Sequence, residues 1–203
     1  MQTVEISPAT SQNASEAAEL IFSAYHKYSY DIFGNIGQNA ATDRFKQLWR
    51  LPNNRFSHQH SFVAKLDNKT VGLLTCYKAQ SIKKLIYPTI WQLLCIGKLQ
   101  FICHLLVNIN NFYYFSKTSD ILPNELYIAT LAVAPEHRRK GIATELLNRA
   151  RQLAKHEGLT CTLHVSAENK KAIALYEITG FIKKLSESKS YYKMIDGCIH
   201  VTT

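Results

Sequence analysis

Residues 125–155, ELYIATLAVAPEHRRKGIATELLNRARQLAK, constrain this chain more than any other segment. From Glu125 to Val133 the run is almost continuously apolar and closes at Pro135, as a central strand covered on both faces requires. Ile142, Ala143, Leu146, Leu147, Ala150, Leu153 and Ala154 then recur at helical spacing, with Glu145, Arg149, Gln152 and Lys155 opposite them. A buried strand feeding an amphipathic helix implies an α/β protein. Between the two, Arg138, Arg139, Lys140 and Gly141 lead into a first helical turn whose N–H groups lack intrahelical acceptors, so the helix dipole and the cations suit a phosphate. Gly141 admits a ligand oxygen close to the backbone, and Ala143 nearly so. Taken alone, the same turn is equally a helix start with a solvated basic patch.

A second segment bears on that choice. After the strand-like run Thr160 to Val165 come Asn169, Ala172, Leu175, Tyr176, Gly180 and Phe181. The order strand, Arg138-x-x-Gly141-x-Ala143, helix resembles the acetyl-CoA pyrophosphate loop of the GCN5-related N-acetyltransferase (GNAT) family. The downstream residues resemble that family's Asn-x-x-Ala-x-x-Leu-Tyr-x-x-x-Gly-Phe motif. The close likeness covers about residues 125–182. It implies one domain over 1–203, with a mixed central sheet of about six or seven strands flanked by about four helices and a helical insertion before the central strand. It further implies acetyl-CoA as acyl donor. The pyrophosphate would lie on Arg138, Arg139, Lys140, Gly141, Ile142, Ala143 and Thr144. The pantetheine arm would lie along Leu131, Ala132 and Val133 in a V-shaped gap between parallel strands, with Asn169, Ala172 and Tyr176 completing the site.

Bulk properties narrow the partners. The chain has 203 residues, 46% hydrophobic and 19% charged, ordinary for a globular domain. Its net charge of +9 admits nucleic acid, a membrane surface or an anionic cofactor. The cations are scattered, and the one dense run is the turn assigned to phosphate, so no nucleic-acid partner is expected. A basic chain offers little to a polyamine or a histone tail; a neutral, zwitterionic or mildly anionic amine fits better. Residues 1–20 lack a basic start followed by an apolar core, so a cytoplasmic location is expected. Five widely spaced cysteines at 76, 95, 103, 161 and 198, with no C-x-x-C pair, predict reduced thiols in apolar surroundings. No metal site is expected, and His58 and His60, without further ligands, read as surface histidines.

In chain order, residues 3–6 predict an edge strand, with Ser11 or Asn13 capping a helix toward Tyr28. Residues 25–37 read as an aromatic loop whose Tyr25, Tyr28, Tyr30 and Phe33 either shape an acceptor pocket or close the core. A short helix is expected over 42–49, capped by Thr42 or Asp43, and a hairpin over 61–66 and 70–77 around Asp67, Asn68 and Lys69. Residues 81–124 form the insertion, apolar and dotted with lysine, with helical pieces over 89–97 and 98–108 and the aromatic cluster 112–115. Lys98 and the asparagines rule out a clean membrane span. The insertion reads as a lid that walls the acceptor site or forms a homodimer contact; a helix lying on a membrane surface is the alternative. Final strands are expected over 181–185 and about 190–200, joined by SESKS.

The implied reaction is direct transfer of acetyl to a primary amine, with a small-molecule acceptor preferred. A protein N-terminal or lysine acetyltransferase and a non-catalytic acetyl-CoA sensor are the alternatives. An ammonium must lose a proton before it attacks. Glu125 is the candidate base, with Tyr127, two residues on and on the same face, or water in its place. Tyr176 is the candidate proton donor to the leaving thiolate, and N–H groups near Ala132 and Val133 would steady the oxyanion. Cys161 and His164 form no Cys-His-acid set in the sequence, which disfavours an acyl-cysteine route.

Overall fold

The protein is described by a computed structural model that covers residues 4–25, 27–107, 120–184 and 191–197. The strands are β1 (Glu5–Pro8), β2 (Ser61–Leu66), β3 (Lys69–Lys78), β4 (Glu125–Val133), β5 (Thr160–Ser166), β6 (Phe181–Lys184) and β7 (Tyr191–Asp196). They form one seven-stranded sheet in the order β1-β2-β3-β4-β5-β7-β6, in which only β4 and β5 run parallel. The helices are α1 (Ala14–Tyr25), α2 (Lys27–Phe33), α3 (Gln38–Arg50), α4 (Ala79–Val107), α5 (Ile142–His156) and α6 (Lys170–Ile178).

Side-chain alternation divides the core between two faces of the sheet. On one face Leu146, Leu147 and Ala150 of α5 and Ile173 and Tyr176 of α6 pack on Leu74, Leu126, Ile128, Leu163 and Val165. Gly72 lets α5 sit close, since a Cβ there would stand 3.1 Å from Ile142 and Leu146. On the other face Ala17, Ala18 and Ile21 of α1, Phe45, Leu48 and Trp49 of α3, and Leu93 of α4 pack on Val63 and Leu73.

Local chemistry explains most boundaries. Asp67 and Asn68 hold φ of 49° and 62°, the left-handed pair of a two-residue hairpin turn, so β2 and β3 join tightly. Asn13 Oδ1 accepts from Thr10 N at 2.9 Å just ahead of α1. After α5, Gly158 takes φ 64° and turns the chain toward β5.

Several expectations are corrected. The segment read as a loop contains α2, because Ile32 and Phe33 bury one face, Phe33 meeting Phe45 edge-to-face at 4.8 Å. Tyr28 is exposed instead, its ring 6.0 Å from Tyr191. Helix α3 starts at Gln38, four residues before Thr42, with Gly37 as N-cap. The two pieces expected within the insertion are one helix, α4, running through Pro88. Thr89 Oγ1 donates to Leu85 O at 2.6 Å beside the proline, while Asn54 Nδ2 donates to Gln92 Oε1 at 2.8 Å. Gly97 is buried where Arg44 of α3 approaches, so it serves packing and does not break the helix. Cys76 and Cys161 are buried, but Cys95 is exposed on α4. His58 Nδ1 lies 2.8 Å from Trp49 O, and His60 is partly buried against Tyr77. The aromatic cluster 112–115, the SESKS turn and Cys198 lie outside the described residues, as does the side chain of Cys103. Among the described residues no helix is long and apolar enough to cross a membrane.

Candidate active site

The site begins where β4 and β5 part. Their parallel pairing runs from Glu125↔Thr160 to Ile128↔Leu163 and stops, although β4 continues to Val133 and β5 to Ser166. Beyond that point β5 is held by β7 alone, and β4 by β3. Among the described residues, the backbone of β4 past Ile128 therefore has an edge with no strand beside it, which is a place for an extended ligand to bond as a strand would. Leu131, Ala132 and Val133 lie on this edge and are partly exposed. A bulge falls at the same point: Thr75 pairs with Thr130 and Cys76 with Ile128, leaving Ala129 extra. Tyr25 Oη, 3.5 Å from Ala129 O and 3.4 Å from Thr130 Oγ1, holds it in place.

The basic turn closes the open end of the gap. Arg138 Nε donates to Val133 O at 3.0 Å, tying the turn to the strand. Arg139 and Gly141 hold φ of 61° and 80°, and the first helical bond of α5 is donated by Glu145 to Gly141 O at 3.0 Å. The N–H groups of Ile142, Ala143 and Thr144 precede that bond and have no intrahelical acceptor. A Cβ on Gly141 would meet nothing within 4 Å. Its requirement is conformational, and the space above it is free for a ligand. Two successive left-handed kinks, free N–H groups and exposed Arg138, Arg139 and Lys140 form a cradle that fits a diphosphate.

Asn169 is the N-cap of α6; its Oδ1 accepts from Ala172 N at 3.2 Å, so these two motif residues bond to each other. Tyr176 is buried at 8% exposure, its ring 5.8 Å from Phe181, and burial pushes its phenol up to about 12. It stays protonated at neutral pH, as a hydrogen-bond donor must.

Glu125 occupies surroundings that its sequence position did not suggest. It is 3% exposed, and Lys193 Nζ lies 2.9 Å from both Oε1 and Oε2. Thr162 Oγ1 and Leu122 N each donate to Oε2 at 3.1 Å. Three donors thus fall on Oε2 and one on Oε1, and the buried carboxylate is paired with Lys193 within the protein.

Tyr127 is placed differently. Its hydroxyl lies 3.2 Å from His164 Nδ1, and His164 Nε2 lies 2.6 Å from Asp120 Oδ2. An ionised carboxylate only accepts, so Nε2 carries a proton; in the neutral ring Nδ1 is then the acceptor, and the Tyr127 hydroxyl donates to it. The result is a phenol–imidazole–carboxylate chain leading from the strand beside the gap out to Asp120, whose side chain is 41% exposed. Desolvation holds the Tyr127 phenol well above its ordinary range, with Tyr77 adding to the effect and Arg55 opposing it. Arg55 Nε donates to Tyr77 Oη at 3.2 Å, and the Tyr77 and Tyr127 rings are 6.1 Å apart.

Sequence reasoning did not assemble His164, Asp120 and Lys193. Period-two parity on β5 separates Thr160, Thr162 and His164 from the core residues Cys161, Leu163 and Val165, so His164 was within reach as a neighbour of Glu125 and Tyr127. Asp120 and Lys193 arrive from 44 residues before His164 and 68 after Glu125, with no local pattern to connect them.

Comparison with known proteins bears on the family and the fold. The profile of the Acetyltransferase (GNAT) family matches residues 24–181. N-alpha-acetyltransferase 50 of Danio rerio is 37% identical over 73 residues, which is 35% of this chain and less than half, 43%, of that protein. Among solved structures, an N-acetyltransferase from Staphylococcus aureus Mu50 superposes with a TM-score of 0.69 at 21% identity, covering 94% of this chain and 99% of that one. The PaiA N-acetyltransferase of Thermoplasma acidophilum, solved in complex with coenzyme A, gives 0.56 at 15% identity over 96% and 98%. With a family match across more than half its length and a sheet that opens where a strand-like ligand would lie, this chain belongs to the GNAT acetyltransferases.

Proposed function

We propose that the protein transfers an acetyl group from acetyl-CoA to a primary amine by direct attack within a ternary complex. The observation that carries this reading is the Tyr127–His164–Asp120 chain beside the open edge of β4. Acetyl-CoA, when bound, supplies an activated thioester. Arg138, Arg139, Lys140 and the N–H groups from Gly141 to Thr144 hold its diphosphate, and Leu131, Ala132 and Val133 bond its arm. Asn169 and Ala172 act by fixing the start of α6, which carries Tyr176.

The proton path follows from the tautomer. As the amine attacks, Tyr127 takes its proton while passing its own to His164 Nδ1, and the imidazolium formed is paired with Asp120 before the proton leaves to solvent. The Val133 N–H, which faces away from β3, steadies the oxyanion, and Tyr176 donates to the departing thiolate. Glu125, buried and ion-paired with Lys193, holds structure and leaves deprotonation to this chain.

A protein amino terminus as acceptor is the second reading, favoured by the N-alpha-acetyltransferase relative. Thiol release from acetyl-CoA over a panel of small amines and of peptides with free amino termini tests both. Release with any primary amine, lost in His164→Ala while acetyl-CoA still binds by calorimetry, supports the transfer. Binding with no release on any amine would leave a sensor.

A further inference from the structure

We propose that Asp120, on the return limb of the insertion, is a positioning residue for the transfer. It fixes the His164 ring in the tautomer that serves Tyr127, and the buried Glu125–Lys193 pair holds Asp120 in place. This rests on the relay reading above.

The limb is tied down at both ends of one short turn. Glu125 N donates to Leu122 O at 3.0 Å and Leu122 N donates back to Glu125 Oε2 at 3.1 Å, closing residues 122–125. Lys193 Nζ bridges Glu125 and the backbone carbonyl of Asp120. Lys193 lies on β7 directly across from His164, so the lysine that grips the limb and the imidazole that uses it share one strand pair. Thr162, two residues before His164 on the same face of β5, donates to Glu125 as well. Asp120 therefore meets His164 at 2.6 Å through a frame that begins with the ion pair.

The chemistry requires such a frame. A neutral imidazole has two tautomers and can turn over about its bond to Cβ, and only the form with hydrogen on Nε2 leaves Nδ1 free to accept from Tyr127. A carboxylate on Nε2 selects that form. The charges nearby are also arranged for an incoming proton. Facing His164 are the Tyr127 phenol from β4, the Asp120 carboxylate from the limb and the Lys193 ammonium from β7. Lys193 alone would repel an imidazolium, but Glu125 cancels its charge at 2.9 Å, leaving the Asp120 carboxylate, which among the described residues has no ion pair other than His164. The insertion thus completes the site by delivering one carboxylate.

The test compares wild type with Asp120→Ala, Asp120→Asn, Asp120→Glu and His164→Ala in the full chain. Side-chain nitrogen NMR reads the His164 tautomer, and thiol release from acetyl-CoA with a tetra-alanine peptide or glycinamide reads turnover. Because the Asp120 side chain is 41% exposed, the Asp120 variants are expected to fold, and circular dichroism checks the fold of His164→Ala. Expected are a predominant Nε2–H tautomer in wild type and a mixture in Asp120→Ala. Turnover should fall about tenfold to a hundredfold in Asp120→Ala and Asp120→Asn, with acetyl-CoA affinity within twofold and partial recovery in Asp120→Glu. An unchanged tautomer with wild-type turnover in Asp120→Ala, while His164→Ala is inactive, overturns the role of Asp120 alone. Full turnover in His164→Ala overturns the relay itself.

Discussion

Lys193→Met tests the frame beneath the site through stability, without any substrate. The change removes the cation from a carboxylate that is 3% exposed and leaves it two donors, Thr162 Oγ1 and Leu122 N, each at 3.1 Å. Breaking one side of a buried ion pair costs about 3–5 kcal/mol, and the surviving donors favour the lower end, about 3 kcal/mol. For a chain of this size about 2–4 °C of Tm is lost per kcal/mol, so circular dichroism should show Tm falling by about 6–12 °C. Glu125→Met should cost a similar amount by burying an unpaired ammonium. The double variant, which fills the same space with apolar atoms, should return to within about 1 kcal/mol of wild type. The coupling energy of that cycle should reach at least about 2 kcal/mol. A Lys193→Met loss below about 1 kcal/mol, or a double variant no better than the worse single one, would refute the claim that the pair is desolvated and mutually dependent.

Other substitutions probe the remaining parts. Gly141→Glu should abolish acetyl-CoA binding by calorimetry, because it forces a side chain into φ 80° and sets a carboxylate where the diphosphate would lie; unchanged affinity would remove the cradle assignment. Tyr176→Phe should lower turnover with little change in acetyl-CoA affinity, and normal turnover would make Tyr176 a packing residue only. Cys95 should react with a thiol reagent at pH 8, while Cys76 and Cys161, whose thiols burial pushes up to about 12, stay unmodified in mass mapping of the folded protein. The Tyr176 phenol and these two thiols titrate later in the folded chain than in the unfolded one. Stability they contribute is therefore complete below about pH 9 and drains between about pH 9 and 12, so urea midpoints should fall over that window; a flat profile would contradict their burial.

What could be read from the sequence was local. Strand β4, the basic turn and α5 followed from an apolar run, a Pro135 stop and a clear helical period, and the β2–β3 hairpin from Asp67 and Asn68. Helix α2 escaped because Tyr28, Tyr30 and Gly34 look like a loop until Phe33 finds Phe45 in the tertiary core. Helix α4 was divided because proline and glycine are breakers only when nothing else holds the helix; here Thr89, Gln92 and the approach of α3 do so. Glu125 is the candidate base by its position two residues before Tyr127 on the same face of the strand. That position could not announce a lysine from β7, because the register between strands distant in sequence is set by the whole sheet.

The bulge at Ala129 shows how one irregularity serves both halves of the site. Leu126 and Ile128 face α5, and so do Leu131 and Val133, although Leu131 is three positions on from Ile128. Strict alternation would have turned the second pair to the opposite face, so the extra residue keeps the apolar side of β4 intact across the break. The same residue marks the end of pairing with β5, since a strand that bends there can no longer follow a straight parallel neighbour. Tyr127 falls just before the bulge, on a stretch held firmly between β3 and β5, where a phenol can be aimed at His164. Leu131 to Val133 fall just after it, on a stretch with one free edge, where backbone is open to a ligand. Rigid placement of the proposed proton path and exposure of the proposed binding edge are opposite demands, and the bulge lets one continuous strand meet both within seven residues, Tyr127 to Val133.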